Sequence, residues 1–375
     1  MGLIANAIHV EDEQKTLRLN ATEFFNIQKK IKYRFLPAEW YPQSAIQLTW
    51  PHEDTDWAYM LDEVKACFRN LAIEIAKRQS LIIVTPKPEE AKAELPSETM
   101  ENVILVECPT NDTWARDHAF ITMMNEDDKC ELIDFRFNGW GQKFASNLDN
   151  QICRRMTNVN ILKGQYKNRL DFVLEGGSIE SDGCGTLLTT TECLTAPNRN
   201  DTLSKAEIEE QLMKEFNLKQ ILWLDHGYLA GDDTDSHIDT LARLCPMDTI
   251  VYVQCKDSTD EHYEELKKME EQLHTFRTLE GKPYRLLPLP MADAVIEDEE
   301  RLPATYANFL IMNTAVLYPT YSQPENDANA KSVLQEAFPT RDIVGIDCRA
   351  LIKQHGSLHC VTMQFPDGVF NKKEI

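Results

Sequence analysis

Residues 45–50 read Ala-Ile-Gln-Leu-Thr-Trp, and residues 81–85 read Leu-Ile-Ile-Val-Thr. Both are short runs of strand-forming residues. Between them Trp57, Met60, Leu61, Val64, Phe68, Leu71 and Ile75 recur at i+3 and i+4 spacing. That stripe predicts a helix from about Asp56 to Arg78 with one buried face. The segment is therefore a strand–helix–strand unit.

The same phrase recurs four more times. Glu131–Phe135 is followed by a short helix near Ser146–Met156 and a strand at Val159–Leu162. Thr186–Thr190 leads to a helix over Lys205–Phe216 and a strand over Gln220–Leu224, and Ser204 with Glu207 forms a capping box at that helix start. Thr249–Gln254 precedes a helix over Asp260–Phe276, striped by Tyr263, Leu266, Met269, Leu273 and Phe276, and then a strand at Tyr284–Leu287. Ala315–Tyr318 precedes a helix over Asn326–Phe338 and a strand at Ile343–Ile346. An ordinary sheet of alternating strands and helices is the plain alternative. Repetition is favoured because acids, a histidine and a cysteine fall at one stage of the units. Asp117, Glu175, His237 with Asp239, and Cys360 each follow a unit's second strand, and Asn308 takes that stage in the remaining unit. In a closed ring such positions converge on the axis. The expected organisation is an N-terminal extension over 1–30 and a single α/β domain over 31–375.

The chain has 375 residues and a formal net charge of −22. That balance argues against nucleic acid, whose binding needs basic patches, and is compatible with a small cationic substrate. The ten cysteines include no CxxC pair and do not read as a disulfide framework. The N-terminus lacks the pattern of a signal peptide, and no run of apolar residues is long enough to span a membrane. The expectation is a cytoplasmic protein with no membrane partner, and self-association into a homo-oligomer is left open.

Four segments carry the chemistry. Asn111-Asp112-Thr113-Trp114-Ala115-Arg116-Asp117 places an aromatic three residues from an acid. Tryptophan covers a guanidinium face by cation–π contact; equally, this is a core tryptophan beside an ion pair. Leu174-Glu175-Gly176-Gly177 combines an acid with glycines that let backbone approach a ligand, or forms a simple turn. Gly231-Asp232-Asp233-Thr234-Asp235-Ser236-His237-Ile238-Asp239 ends in a His-x-Asp pair, which on an extended strand would share one face. That pair suits proton transfer, and also metal binding, but no third ligand is evident nearby. His355-Gly356-Ser357-Leu358-His359-Cys360 opens an apolar run, Leu358–Phe365, read as a strand. A thiol there is either a nucleophile facing a pocket or a buried structural cysteine. Taken together, a thiol, a histidine and several carboxylates suit attack on the central carbon of a guanidinium, which is planar, cationic and rich in N–H donors.

The chain resembles the agmatine deiminase and bacterial-type peptidylarginine deiminase family of the guanidino-modifying enzymes. The likeness rests on Trp114-Ala115-Arg116-Asp117, Leu174-Glu175-Gly176-Gly177-Ser178-Ile179, Asp182-Gly183-Cys184-Gly185-Thr186, Glu192-Cys193-Leu194 with Asn198-Arg199-Asn200, His237-Ile238-Asp239, and His359-Cys360-Val361-Thr362 with Gln364. Trp50-Pro51-His52 extends it toward the N-terminus. The resemblance implies a pseudo-fivefold α/β propeller with a central active site. It implies Cys360 as nucleophile, His237 as general acid/base, Asp117 and Asp239 as guanidinium ligands, and Glu175 as a further catalytic acid. It implies Trp114 as a substrate-lining aromatic and Asp233 as an acid near the substrate. The implied reaction is hydrolytic deimination through a covalent cysteine intermediate, without metal or organic cofactor, of agmatine to N-carbamoylputrescine and ammonia. The alternatives are a deiminase of free or peptide-linked arginine, or a non-catalytic acidic module that binds polyamines or guanidines. Three departures stand out: His118-Ala119-Phe120 in place of Gly-Pro-Thr, Glu180 in place of His, and His355-Gly356-Ser357-Leu358 before the cysteine. They are expected to alter the loops that read the far end of the substrate.

Overall fold

The computed structural model describes residues 34–125 and 129–370. The extension expected over 1–30 lies outside these residues. Five strands hold equivalent places at the centres of five sheets: Gln43–Thr49, Cys130–Arg136, Thr186–Thr190, Thr249–Gln254 and Ala315–Thr320. Each pairs in parallel with the strand that follows its crossover: Ser80–Thr85, Gln165–Val173, Gln220–Leu224, Arg285–Pro290 and Asp342–Asp347. Parallel neighbours need a long crossover, and a helix supplies it each time: Leu61–Ala76, Ile152–Thr157, Lys205–Phe216, Tyr263–Leu273 and Pro324–Ala337.

Each central strand also carries an antiparallel neighbour. In four sheets it immediately precedes the central strand: Ile121–Met124, Ile179–Ser181, Ala242–Cys245 and Leu310–Ile311. In the first sheet it is Thr362–Pro366, from the other end of the chain. The first sheet adds Val103–Glu107, and Val295–Glu297 pairs with Glu300–Leu302 as a separate hairpin. The fold is thus mixed α/β. Among the described residues no helix is long and apolar enough to cross a membrane.

The helix stripes pack as their spacing requires. Trp57, Val64, Phe68, Leu71 and Ile75 are buried, as are Leu266, Met269, Leu273 and Phe276. Truncating a fully buried ring such as Phe68 to alanine costs about 3–5 kcal/mol, because transfer and cavity terms add. The capping box of Ser204 and Glu207 is formed, each side chain meeting the other's backbone N–H.

Several boundaries differ from expectation. The second unit's outer strand is Gln165–Val173, not Val159–Leu162; Leu162 makes only an isolated bridge to Phe370. That strand is mostly polar and only its last two residues are buried, so it lacks the apolar signal that marks its equivalents. The helix before it begins at Ile152 after a 3-10 turn, and the first helix begins at Leu61 after the 3-10 turn Ala58–Met60. Cys360 precedes the last strand rather than lying in it. His237 leads into the 3-10 turn Ile238–Thr240, so His237 and Asp239 do not alternate along a strand.

Candidate active site

The chemically loaded residues occupy one stage of every unit, just before the antiparallel strand. Asp117 lies in the turn Ala115–His118 ahead of Ile121, and Glu175 adjoins the turn Gly176–Ser178 ahead of Ile179. Asp239 lies in the 3-10 turn ahead of Ala242, Asn308 precedes Leu310, and Cys360 precedes Thr362.

Direct contacts tie these turns together. Oδ1 of Asn308 accepts from the backbone N–H of His359 at 2.8 Å and of Cys360 at 3.3 Å, and lies 3.4 Å from the Cys360 thiol. The Arg116 N–H donates to the Cys360 carbonyl at 3.0 Å. Gly177 donates its N–H to Oδ1 of Asp117 at 3.0 Å, and the Trp140 indole N–H donates to the other oxygen at 2.9 Å. A Cβ at Gly177 would lie 2.6 Å from Nδ1 of His237, 2.9 Å from Oδ1 of Asp117 and 3.2 Å from Oδ2 of Asp239. Only glycine fits there, and it marks where the three side chains meet. Glu175 is fully buried against Arg199, whose Nε lies 3.0 and 3.2 Å from its two oxygens.

Two side chains of this cluster stand out because some of their polar atoms lack hydrogen-bond partners among the described residues. Neither ring nitrogen of His237 makes a well-formed hydrogen bond, Nδ1 lying 3.8 Å from Oδ1 of Asp117 with the Cys193 thiol also close by, and Oδ1 of Asp239 makes none among the described residues. Such buried polar groups are costly unless something meets them. Burial disfavours the His237 imidazolium, but the Asp117 charge, with others, carries its pKa well above the usual histidine range. Burial pushes the Cys360 thiol well up, and the Asp239 and Asp117 carboxylates push it further. Burial likewise raises Asp117, against the opposing charge of His237. Asp239 goes the other way: burial is outweighed by the hydrogen bond and charge of His359.

Cys360 is 6% exposed and opens onto a recess of about 380 Å³. Asp117, Trp114, Trp140, Thr234 and Gly356 line its walls, and Asp56, Asp112, Asp233, Phe144 and His355 line it further. A Cβ at Gly356 would come within 2.1 Å of the Trp114 ring, so the indole lies flush against this glycine. Asp112 is raised to about 7 by burial and then by the neighbouring Asp56 charge; Asp233 is raised to about 6 by burial and then by Asp232. A cation between these carboxylates would relieve both. Sequence reasoning found Trp114, Asp117 and Asp233 here but missed Asp56, which reads as the first residue of a helix. It also missed Asp112, Trp140 and Phe144, although Asp112 lies inside the tryptophan motif.

Two of the three motif departures fall away from the recess, contrary to expectation. His118 is buried, 3.3 Å from the Thr49 hydroxyl, and burial lowers it to about 3. Glu180 is buried in an ion pair with Arg243. Neither lines the recess, whereas His355 and Gly356 do. A larger cavity of about 620 Å³, near Glu39, Arg116, Glu180 and Gln364, shares no lining residue with it. Among the described residues, two groups have donor atoms close enough to share a metal ion: Glu175, Cys193 and His237, and Glu39, Glu180 and His359. In each a guanidinium already occupies a carboxylate, Arg199 on Glu175 and Arg243 on Glu39 and Glu180.

The Porphyromonas-type peptidyl-arginine deiminase family matches residues 35–366. The chain belongs to that family. Membership makes it an enzyme, a hydrolase of carbon–nitrogen bonds in linear amidines. A Porphyromonas gingivalis structure provisionally described as an arginine deiminase is 52% identical, with a TM-score of 0.87, covering 90% of this chain and 100% of its own. A substrate-bound cysteine-to-serine variant of the agmatine deiminase of C. jejuni is 36% identical, with a TM-score of 0.81, over 90% of this chain and 97% of that one. A Shewanella putrefaciens protein provisionally named agmatine deiminase is 34% identical over 89% of this chain and 94% of its own.

Proposed function

We propose that this family member is an agmatine deiminase that works through a covalent Cys360 intermediate. The observation that carries the reading is the meeting of His237, Asp117 and Asp239 around Gly177, with Cys360 at the edge of the adjoining recess. Asp117 and Asp239 hold the guanidinium N–H groups, and Trp114 lines the path to them. The bound cation offsets the two charges that raise the Cys360 thiol, and so favours the thiolate. The thiolate attacks the central carbon. Protonated His237 gives its proton to the departing nitrogen, ammonia leaves, and a thiouronium remains on the sulfur. Neutral His237 then takes a proton from water, whose oxygen attacks the same carbon. The carbon–sulfur bond breaks as the hydroxyl's remaining proton passes to solvent, where the departed ammonia takes it up as ammonium, releasing the neutral ureido product and the thiolate. The product has lost its charge and with it most of its attraction to the carboxylates. Glu175, fixed by Arg199, adds negative charge beside His237.

Agmatine is favoured because three carboxylates, Asp56, Asp112 and Asp233, line the recess that also holds Cys360. They suit an ammonium and oppose the α-carboxylate of arginine. Free or peptide-linked arginine is the second reading, supported by the P. gingivalis protein provisionally described as an arginine deiminase and by the peptidyl-arginine deiminase family. We also read the five equivalent sheets, with the C-terminal strand paired to the first, as the blades of a closed pseudo-fivefold propeller in a cytoplasmic protein. The deciding experiment is a screen of agmatine, arginine and blocked arginine peptides for ureido product and ammonia. A higher kcat/KM for agmatine is expected; a better arginine substrate overturns agmatine, and no turnover of any guanidine overturns deimination.

A further inference from the structure

His359 has no part in the steps above, yet it is held at both ring nitrogens beside the nucleophile. Its Nδ1 lies 2.7 Å from Oδ2 of Asp239, and its Nε2 lies 2.7 Å from Oε2 of Glu39. An ionised carboxylate only accepts hydrogen bonds, so each of these contacts is made by a ring N–H. Arg243 also approaches Nε2, at 3.1 Å, but its Nη2 donates to the same Glu39 oxygen at 2.7 Å. Glu39 is fixed from the other side as well, because Oε1 accepts from the Ile311 N–H at 2.7 Å. Arg243 is fully buried, paired with Glu180 and donating to the carbonyls of Ala307 and Phe309. The series Glu180, Arg243, Glu39, His359, Asp239 therefore alternates in charge and ends on a carboxylate with one oxygen spoken for and, among the described residues, one without a partner.

We propose that His359 is a positioning residue for guanidinium binding: its Nδ1–H pins one oxygen of Asp239 and reserves the other for the substrate. The inference rests on the reading of Asp239 as a guanidinium ligand. The physical need is clear. Asp117 and Asp239 are both buried near Cys360, and carboxylates so placed tend to take up protons. A hydrogen-bond donor on Oδ2 keeps Asp239 ionised, and a single fixed rotamer presents Oδ1 ready to bind.

Two substitutions separate this role from simple packing. The amide nitrogen of asparagine falls near the place of Nδ1, and that of glutamine near the place of Nε2. His359→Asn keeps the donor to Asp239, so KM should rise no more than about threefold, whereas His359→Gln should raise KM roughly ten- to hundredfold with a smaller fall in kcat. If only volume mattered, glutamine, the larger of the two, would be the better replacement. A glutamine variant with KM equal to or below that of asparagine overturns the proposal. Nitrogen-15 NMR of histidine-labelled wild-type protein supplies a second measurement that needs neither variant to fold. Two protonated ring nitrogens, each with a far-downfield proton, are expected for His359, and one bare ring nitrogen overturns the clamp. Because this spectrum needs no turnover, it still reports on the clamp if no guanidine proves to be a substrate.

Discussion

Asp117, Asp239 and Cys360 hang from the turns that precede antiparallel strands, whereas Asp56, Asp112, Asp233, Phe144 and His355 hang from connecting loops. The first group is buried and cross-tied by Asn308, Gly177 and Trp140. Most of the second is half-buried, and Asp56 and Phe144 are exposed. In the first group position is set by the strands that follow the turns and by the hydrogen bonds between them, so a shift in one turn would disturb the turns it touches. In the second, a loop can change its side chains without moving a strand. On the proposed reading the first group does the chemistry and the second reads the distal group, which makes the two ends separable by mutation.

The sharpest way to break the comparison is at the sulfur. Cys360→Ser should fold normally and bind substrate but lose activity by about a thousandfold or more, because a hydroxyl is a far weaker nucleophile at neutral pH. Ammonia release under single-turnover conditions measures this, with mass spectrometry of the wild-type Cys360 peptide to catch the adduct. Retention of about a tenth of the rate would remove Cys360 from the mechanism. In the free protein, iodoacetamide should modify Cys360 slowly at neutral pH and faster only as pH rises beyond the ordinary thiol value of 9.0, since burial, Asp239 and Asp117 all raise it.

Asp117→Asn tests the inner end through a charge. Burial alone lowers the pKa of His237; the Asp117 carboxylate is the first of the charges that reverse this. A raised histidine stays protonated through neutral pH and loses its proton only at higher pH. Without the carboxylate, that loss should move to lower pH, so the alkaline limb of kcat shifts toward acid and neutral activity falls about a hundredfold. A profile that keeps its alkaline limb would show that Asp117 does not govern His237.

The same division explains what was legible in the sequence. Five apolar strand runs and the helix stripes expose the repeat because buried parallel strands must be apolar. The shared stage of Asp117, Glu175, Asp239, Asn308 and Cys360 followed from that repeat. Gln165–Val173 escaped because its mostly polar, incompletely buried residues carry no such signal. The turn at Ile238–Thr240 escaped because a His-x-Asp pair has no periodicity to separate strand from 3-10 geometry. Glu39 and Arg243 were invisible: they meet 204 residues apart, and neither stands in a motif. The departures at His118 and Glu180 look like changes in the substrate loops when read along the chain, and only the packing places both in the interior.

The loop end should give smaller effects. Asp233→Asn and Asp112→Asn should each raise KM for agmatine roughly tenfold and leave kcat little changed, the worth of one charged hydrogen bond. With Asp112 near 7 and Asp233 near 6, both carboxyls are increasingly protonated as pH falls through that range. A protonated carboxyl no longer attracts an ammonium, so wild-type KM for agmatine should climb as pH falls from about 7 to below 6, and less so in the double variant. KM for a guanidine lacking the distal amine should stay flat over the same range. A KM for agmatine that is equally flat would place its ammonium elsewhere.

The smallest expected effect is that of chelation. Glu175, Cys193 and His237 have their donor atoms within 4.8 Å of one another, as do Glu39, Glu180 and His359, so each group could in principle take a metal ion. Yet Arg199 lies against Glu175, and Arg243 against Glu39 and Glu180. A divalent cation would have to sit beside a buried guanidinium, in a site where the repulsion is poorly screened. It would also take the His237 nitrogen that the proposed proton transfers require. Exhaustive dialysis against EDTA should therefore leave kcat and the melting temperature unchanged, and added zinc should inhibit if it acts at all. Activity that vanishes on chelation and returns with zinc or manganese would assign the inner cluster to a metal, and the thiol mechanism would have to be rebuilt around it.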